Sequence, residues 1–359
     1  MANEFLSLLD ITSRRGTDQA VGLVEEVMTF APEISAVYGR PIPGLHYTAR
    51  VRSALTANAA FRAANAGVAL SASSYTQKRF DCFFFDTQLQ CDEAVVRAAQ
   101  QEGDSLAAVQ ADEAVGALRA KAIQFGKQFY KGTTNDAAGF PGLIDFLTSQ
   151  ASVTDPTTSS AVDQTVDAAG TSTLCERVWY IWNHLQGVHF LWGGNQGLDI
   201  KPWSLQQVVD PNDSAKRLMA WVSNVSGYAG LSMANIRAIG CIKNVKAQLS
   251  SGAYVKPLTD ALLAQLEAKF PVGMIPGGNA QNGMQSGPPD MSGGGWLCFM
   301  SRAARASLQV SRTVTLQADP SKATKANSGA AGLIAPLPTA TASGVPIIVT
   351  DSIATETAS

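Results

Sequence analysis

The sequence predicts an α+β fold, and three patterns support that class. Apolar residues recur at alternating spacings of four and three along residues 104–130, which is typical of a long amphipathic helix. Apolar and polar residues roughly alternate in several runs between residues 171 and 245, as they do in β-strands. Beyond residue 246, helix-like and strand-like segments follow one another. We therefore expect a long helix first, then strands, then a mixed region.

The composition excludes several classes of protein. The chain has 359 residues, a formal net charge of −2 and 46% hydrophobic residues, which rules out bulk disorder and allows a sizeable core. The near-neutral charge argues against a dedicated nucleic-acid binder, which needs a basic face. Only 16% of the residues are charged, against about 25% in ordinary soluble proteins. We expect partners to cover part of the surface.

We expect neither a secretory signal nor a membrane helix. Residues 1–5 lack a basic cluster followed by an apolar run, and the longest uncharged stretch, residues 326–350, contains three prolines. The five scattered cysteines form no C-x-x-C pair. They are predicted to be reduced, mostly buried thiols of a protein made in a cytosol.

The N-terminal part is predicted to form an arm, a helix and an exposed loop. Thr17 or Asp18 can cap the helix, Pro32 stops it, and residues 39–44 form a turn cluster. Residues 45–80 contain few large aliphatic residues and no acidic residue, so they cannot bury themselves well. A loop this long without a core is functional or disordered. We interpret it as an exposed hairpin whose basic residues are Arg40, Arg50, Arg52, Arg62, Lys78 and Arg79.

The charge changes sign directly after this loop. Residues 81–113 contain a single basic residue, Arg97, and a strand-like run at residues 80–85 leads into this stretch. The acidic residues of this stretch include Asp92, Glu93, Glu102, Asp104, Asp112 and Glu113. A helix follows, capped by Asp104 and ending near Tyr130. At 1.5 Å per residue it would be roughly 40 Å long. Its predicted apolar stripe consists of Ala111, Val115, Leu118, Ala122, Phe125 and Phe129.

The rest of the chain is predicted to alternate loops, strands and short helices. Residues 151–170 form a polar linker, and residues 171–245, with five of the six tryptophans, form three to five strands. Pro257 opens a helix with an apolar face, and residues 271–295 form a loop. The last elements are a buried strand at 296–300, a short helix capped by Ser301, and a strand at 345–349.

No motif supports catalysis. His184 and His189 are five residues apart, which places them on opposite faces of a strand and disfavours a zinc pair with each other. The glycine-flanked serine at 283–287 does not fit a nucleophile elbow, and no Gly-Lys-Ser/Thr phosphate loop occurs. Acidic pairs such as Asp92 and Glu93 are typical of solvated helix faces. We expect no enzyme, no cofactor and no metal.

The two blocks of opposite charge predict how copies of the chain meet. They are adjacent in sequence, but a projecting hairpin cannot easily fold back onto the helix that follows it. Pairing between the loop of one copy and the helix of the next gives a heterologous contact that repeats into rings or shells. Exposed ion pairs contribute only about 0–1 kcal/mol each, so they steer the contact more than they hold it.

Four features, taken together, resemble the major capsid proteins of tailed bacteriophages of the Hong Kong ninety-seven type. The first is the order of arm, exposed loop and long helix. Residues 129–143, FYKGTTND followed by GFPGL, are similar to a tyrosine-glycine-aspartate turn and a phenylalanine-x-glycine-leucine turn of that family. Residues 230–239, GLSMANIRAI, resemble its glycine-leucine segment, although the usual acidic-arginine pair is missing. Residues 344–353, GVPIIVTDSI, resemble its terminal strand.

The resemblance implies a phage major capsid fold with five parts: an N-terminal arm (1–38), an extended loop (39–80), a peripheral domain with its spine helix (81–150) and long strands (151–245), and an axial domain with the C-terminal strand (246–359). It implies pentamers and hexamers of an icosahedral shell around the double-stranded DNA of a tailed phage. The virion would be assembled in the host cytoplasm.

The resemblance also implies partners. They are other copies of the chain, a scaffolding protein, a portal, a decoration or cement protein, and packaged DNA bound without sequence specificity; no membrane is expected. Lys78 is the only lysine between residues 34 and 80 and lies at the base of the loop, so we expect no cross-link through it. The start at Met1 favours an uncleaved form with a separate scaffold.

Three alternatives stay open on the sequence. An encapsulin-like nanocompartment would share the fold and enclose enzyme cargo. A carbohydrate-binding or enzymatic protein would use the tryptophan-rich segment as a stacking surface, although the alternation favours a sheet core there. An adhesin or tail protein would form fibres or rings.

Overall fold

The structure is a computed structural model, and it does not describe every residue. It describes residues 29–55, 61–67, 70–101, 105–150, 152–153, 161–171, 173–195, 197, 199–210, 213–250, 253–271, 295–312 and 337–358. The predicted helix after Thr17 lies outside these residues, as do Glu102, Asp104 and most of the loop predicted at 271–295. The described part is mixed α+β, as expected.

The first described elements include two features that were not predicted. Pro32 was expected to stop the preceding helix, which lies outside the described residues; it is the N-cap of a short helix, α1 (Glu33–Ala36), because its fixed φ suits the start of a helix. Strand β1 (Gly39–Pro41) pairs in parallel with residues 190–192, where we expected a turn. Gly39 is needed there for close approach, since a Cβ would lie 2.5 Å from Nε1 of Trp192.

The basic loop is a β-hairpin, as predicted. Strand β2 (His46–Ala54) pairs antiparallel with β3 (Ser74–Asp81), from His46 opposite Asp81 to Ala54 opposite Ser74. These two strands form a sheet of their own. The hairpin is therefore a separate projection of the body rather than part of its main sheet.

The acidic stretch folds into two short strands and two helices. They are β4 (Phe83–Phe84), β5 (Thr87–Asp92), α2 (Glu93–Gln101) and the long helix α3 (Leu106–Lys131), with α4 (Leu143–Gln150) following. Ser105, not Asp104, caps α3, since its Oγ accepts a hydrogen bond from the backbone N–H of Ala108 at 3.1 Å. A serine at this position satisfies one of the free N–H groups of the first turn.

The predicted apolar stripe of α3 is buried only in its C-terminal half. Phe125 and Phe129 are fully buried, whereas Ala111 and Val115 are exposed. The N-terminal half packs on α2 through a small cluster formed by Val109, Ala99 and Val95. The amphipathic sequence pattern of α3 therefore includes residues that do not contribute to the main core.

The strands form two larger sheets. The larger sheet contains β1, β4, β6 (Thr165–Asp167), β7 (Glu176–Asn183), β8 (Val188–Trp192), β12 (Tyr228–Met233), β13 (Ile239–Ser250), β14 (Ala253–Lys256), β15 (Gly295–Met300) and β16 (Ile347–Val349). The smaller sheet contains β5, β9 (Asp199–Ile200), β10 (Ser204–Asp210) and β11 (Asp213–Ser226). Residues 171–245 thus contribute to seven strands in the described chain, more than the three to five expected.

Two short helices complete the fold. Helix α5 (Asp260–Glu267) starts three residues after Pro257, because the hydroxyl of Thr259 is its cap. Helix α6 (Arg302–Ser311) is capped by Ser301 as predicted, with Oγ accepting from the N–H of Ala304 at 3.0 Å. Among the described residues, no helix is long and apolar enough to cross a membrane.

The core lies between the main sheet and the C-terminal half of α3. Trp179 and Tyr180 of β7 are fully buried with Phe125 and Phe129, and Trp182 is buried as well. β7 is buried along nearly its whole length. Trp179 and Trp182 of the tryptophan-rich segment are therefore part of the core, as the strand pattern favoured, and do not offer a surface for stacking on a sugar, whereas Trp192, Trp203 and Trp221 are partly buried.

Candidate functional site

The hairpin has two chemically different faces. In an antiparallel pair, residues opposite each other point to the same side. Ala49 lies opposite Lys78 and Tyr47 opposite Phe80, whereas Arg52 lies opposite Tyr75. The inner face is thus mostly apolar, and the outer face carries Arg50, Arg52, Tyr75, Gln77 and Arg79.

The inner face holds the hairpin against the body. Ala49 and Phe80 form a small buried cluster with Ile42 and Leu191. Lys78 is half-buried on this face, and its Nζ donates to the carbonyl of Ala234 at 3.2 Å. Burial lowers the pKa of Lys78. This lysine helps to seat the hairpin rather than projecting from it.

The outer face presents two arginines held by one tyrosine. The guanidinium groups of Arg50 and Arg52 lie 4.6 and 5.5 Å from the centre of the Tyr75 ring. Within the described residues, neither arginine has a carboxylate within 4.0 Å. A cleft of about 780 Å³ opens beside them, toward Gln186 and Asn235. No carboxylate lines this cleft in the described part of the chain. Two positive charges are therefore fixed in place and available to an acidic partner.

The other predicted basic residues have partners within the chain. Arg40 lies over the Tyr47 ring at 4.8 Å, and Arg62 donates to the carbonyl of Ala66 at 2.9 Å. Arg79 forms an ion pair with Asp81 at 2.7 Å.

The acidic residues lie on the α2–α3 pair. Asp92 accepts from the N–H of Ala94 at 2.9 Å at the start of α2, and Glu93 pairs with Arg97 at 2.5 Å. Asp112 and Glu113 lie on the N-terminal half of α3 and are partly exposed. Glu102 and Asp104 fall outside the described residues.

Among the residues that the structure describes, the predicted basic and acidic groups are not brought together within one chain. The hairpin packs mainly on β12, away from α2 and α3. The ion pairs Arg79–Asp81 and Glu93–Arg97 are local, each within one segment. Pairing between copies is thus left as a prediction for Arg50 and Arg52 with the α2–α3 surface.

Three buried charged side chains in the described part of the chain were missed by the sequence analysis: Lys121, Glu33 and Glu176. Lys121 of α3 is buried, and its Nζ donates to the Thr87 hydroxyl at 3.2 Å and the Val225 carbonyl at 3.1 Å. Burial lowers its pKa to about 8, although Asp86 acts in the opposite direction. Lys121 precedes Phe125 by four residues and so shares its helix face, which is a signal that could have identified it. Glu33, on α1, is fully buried, and nothing in its sequence neighbourhood indicates this.

The buried titratable groups of the described residues do not match the pattern of a metal site. No group of three His, Cys, Asp or Glu side chains that could hold a metal occurs in the part of the chain that the structure describes. His189 is buried in β8, and burial lowers its pKa to about 4, with a further contribution from Arg40. The surface around the hairpin is therefore the strongest candidate for function.

The comparisons with known proteins point to one family and one fold. A family model described as major capsid protein GP7 matches residues 44–358. A chain in a cryo-EM structure of bacteriophage Epsilon15 is 14% identical, with a TM-score of 0.61, and the alignment covers 100% of this chain and 98% of that chain. A chain of the procapsid of bacteriophage JBD30 is 10% identical, with a TM-score of 0.41 and coverage of 91% and 93%. Among curated proteins, none matches.

Proposed function

Because the chain belongs to the major capsid protein GP7 family, we propose that its hairpin joins neighbouring copies into the pentamers and hexamers of an icosahedral shell. The outer face of the hairpin of one copy lies on the α2–α3 surface of the next. The observation that carries this proposal is the pair Arg50 and Arg52, fixed on Tyr75 without a carboxylate partner in the described chain.

The two faces of the hairpin suit this role. The inner face anchors the hairpin to its own body through Ala49 and Phe80. The outer face is available to a neighbouring copy. Because the Tyr75 ring restrains Arg50 and Arg52, these side chains lose less conformational entropy when the neighbour binds. Asp112 and Glu113 are the preferred partners, because both are partly exposed on the N-terminal half of α3.

Such a contact joins two different surfaces, so it repeats around a ring until the ring closes. The arginines supply register and steering, since exposed ion pairs contribute only about 0–1 kcal/mol each. Apolar and backbone contacts elsewhere in the interface supply most of the affinity.

We also propose the remaining partners, which the resemblance to tailed-phage capsid proteins supports. The shell encloses double-stranded DNA without reading its sequence, and it is built in the host cytoplasm. A scaffolding protein, a portal and a decoration protein take part in assembly.

The test is charge reversal on the outer face. The double variant R50E/R52E should remain folded but fail to form shells, because two attractive contacts per subunit become repulsive. The matched control is K201E/K256E, which changes the net charge equally at two exposed lysines outside the hairpin. Sedimentation and negative-stain imaging measure assembly, and circular dichroism measures folding.

The two variants separate a specific contact from a general charge effect. Shells from K201E/K256E and none from R50E/R52E would support the proposal. Normal shells from R50E/R52E would overturn the hairpin contact, whereas loss of shells in both variants would assign the effect to net charge alone.

A further inference from the structure

The first and last described segments of the chain are tied together. The N–H of Phe30 donates to Oδ2 of Asp351 at 2.9 Å, and the N–H of Asp351 donates to the carbonyl of Phe30 at 2.9 Å. Three residues further along, the Glu33 carboxylate accepts hydrogen bonds from the hydroxyls of Thr350 and Ser352. We call residues 30–33 together with 350–352 the clasp.

The clasp packs against the long helix α3 at Gly126, where the missing side chain leaves a notch in the helix surface. Gly126 of α3 is buried, and a Cβ there would overlap Oγ of Ser352 and lie 2.7 Å from Oε2 of Glu33. Glycine is unfavourable in a helix interior by about 1 kcal/mol relative to alanine. The notch explains why glycine occupies this position in the middle of α3.

The clasp buries a carboxyl group without a countercharge. Glu33 has no exposed surface, and its carboxylate is bound in the described chain by hydroxyl groups and a backbone N–H group rather than by a lysine or arginine. Burying an ionised carboxylate without a cation is costly, so such a group tends to take up a proton. Burial accordingly raises the pKa of Glu33, although the hydroxyl hydrogen bonds oppose this.

Within the described part of the chain, the titratable groups around Glu33 do not supply a countercharge. Tyr130 of α3 faces it and is itself fully buried, which raises the pKa of the phenol. Asp351 of the C-terminal segment lies beside Arg302 at 3.4 Å. The Cys298 thiol of β15 contributes to raising the pKa of Tyr130 and does not affect that of Glu33. Burial raises the pKa of Cys298 as well.

We propose that the clasp is a proton-operated latch, closed when Glu33 is protonated and weakened when Glu33 ionises. It couples the position of the N-terminal segment to that of the C-terminal segment on α3. The folded-state pKa lies above the ordinary value of 4.5, so the full contribution to stability is present below pH 4.5. It decreases as the pH rises toward the folded-state pKa.

The first test uses E33Q in the full-length chain. Glutamine has the shape of the protonated acid and stays neutral. Hydrogen exchange followed by mass spectrometry should show residues 29–38 and 350–353 exchanging about tenfold more slowly in E33Q than in the natural protein at pH 8. At pH 4 the two proteins should exchange alike. Equal or faster exchange in E33Q at pH 8 would overturn the latch.

The second test asks whether the notch is required. G126A should speed exchange in both clasp segments, because the new methyl group displaces Glu33 and Ser352. G116A is the matched control on the same helix, since a Cβ there meets nothing within 4 Å. Similar exchange in both variants would contradict the packing argument. If G126A does not fold, T350V replaces it, because T350V removes one hydroxyl partner without adding bulk.

Discussion

His189 links the acid stability of the protein to the root of the hairpin. It is fully buried in β8, and its ring lies edge-on to that of Tyr47 at 6.1 Å. Burial, and then the charge of Arg40, lower its pKa to about 4, below the ordinary 6.5. A histidine whose folded-state pKa is lowered costs stability as the pH falls through 6.5 toward 4, because the unfolded chain takes up the proton first.

We therefore predict that H189F loses less stability on acidification than the natural protein. The difference should reach roughly 3 kcal/mol at pH 4, from 1.36 kcal/mol per pKa unit. Urea unfolding at pH 7 and pH 4 measures it, and H46F, which replaces the exposed histidine of β2, is the control. The same acid-dependent loss in H189F as in the natural protein would show that His189 is not responsible.

At the scale of single residues, the sequence predicted one feature correctly and missed another. The Ser301 cap was predicted correctly, because a serine directly before a helical pattern is commonly the N-cap of that helix. Glu33 was missed, since its partners Thr350 and Ser352 lie more than 300 residues away in the chain. Burial of a charged side chain by distant partners leaves no local signal.

At the scale of elements, local patterns predicted the hairpin, the long helix and the strands at 178–182, 188–192 and 296–300. The extent of burial could not be predicted, because it depends on which elements meet. The N-terminal half of α3 is amphipathic in sequence, yet Val115 is 56% exposed. That face is apolar without a core beneath it in the described chain.

Two substitutions, one in helix α3 and one at its N-cap, should change the free energy of unfolding in opposite directions. G116A should raise the free energy of unfolding by up to about 1 kcal/mol, since alanine is the better helix former and the added Cβ meets no neighbour. S105A should lower it by about 1 kcal/mol, because the N–H of Ala108 loses its cap. Urea unfolding checks both values. A destabilised G116A would mean that the helix surface there is not free.

At the scale of the whole molecule, charge patterning predicted two surfaces that the fold keeps apart. The sequence separates a basic block from an acidic block, but it could not show that Arg79 pairs with Asp81 while Arg50 and Arg52 lie over the ring of Tyr75. Those choices depend on the register of β2 and β3. The family assignment and the fold fit a shell protein whose contacts repeat between copies.

A repeating contact between unlike surfaces predicts what two complementary variants do when mixed. R50E/R52E alone and D112R/E113R alone should both fail to assemble, because every contact is repulsive. In a mixture, the acidic hairpin of the first variant pairs with the basic helix of the second, and the natural hairpin of the second pairs with the natural helix of the first. Every contact is attractive when the variants alternate around a ring.

Alternation closes a ring of six but not a ring of five. The mixture should therefore form hexamers and open sheets or tubes, yet no closed shells, because each pentamer would contain at least one repulsive contact. A single chain carrying all four substitutions restores attraction at every contact and should form closed shells. Electron microscopy of the four samples, each double variant alone, their mixture and the fourfold variant, distinguishes these outcomes. Closed shells from the mixture, or none from the fourfold variant, would show that this charge pair does not set the contact between neighbours.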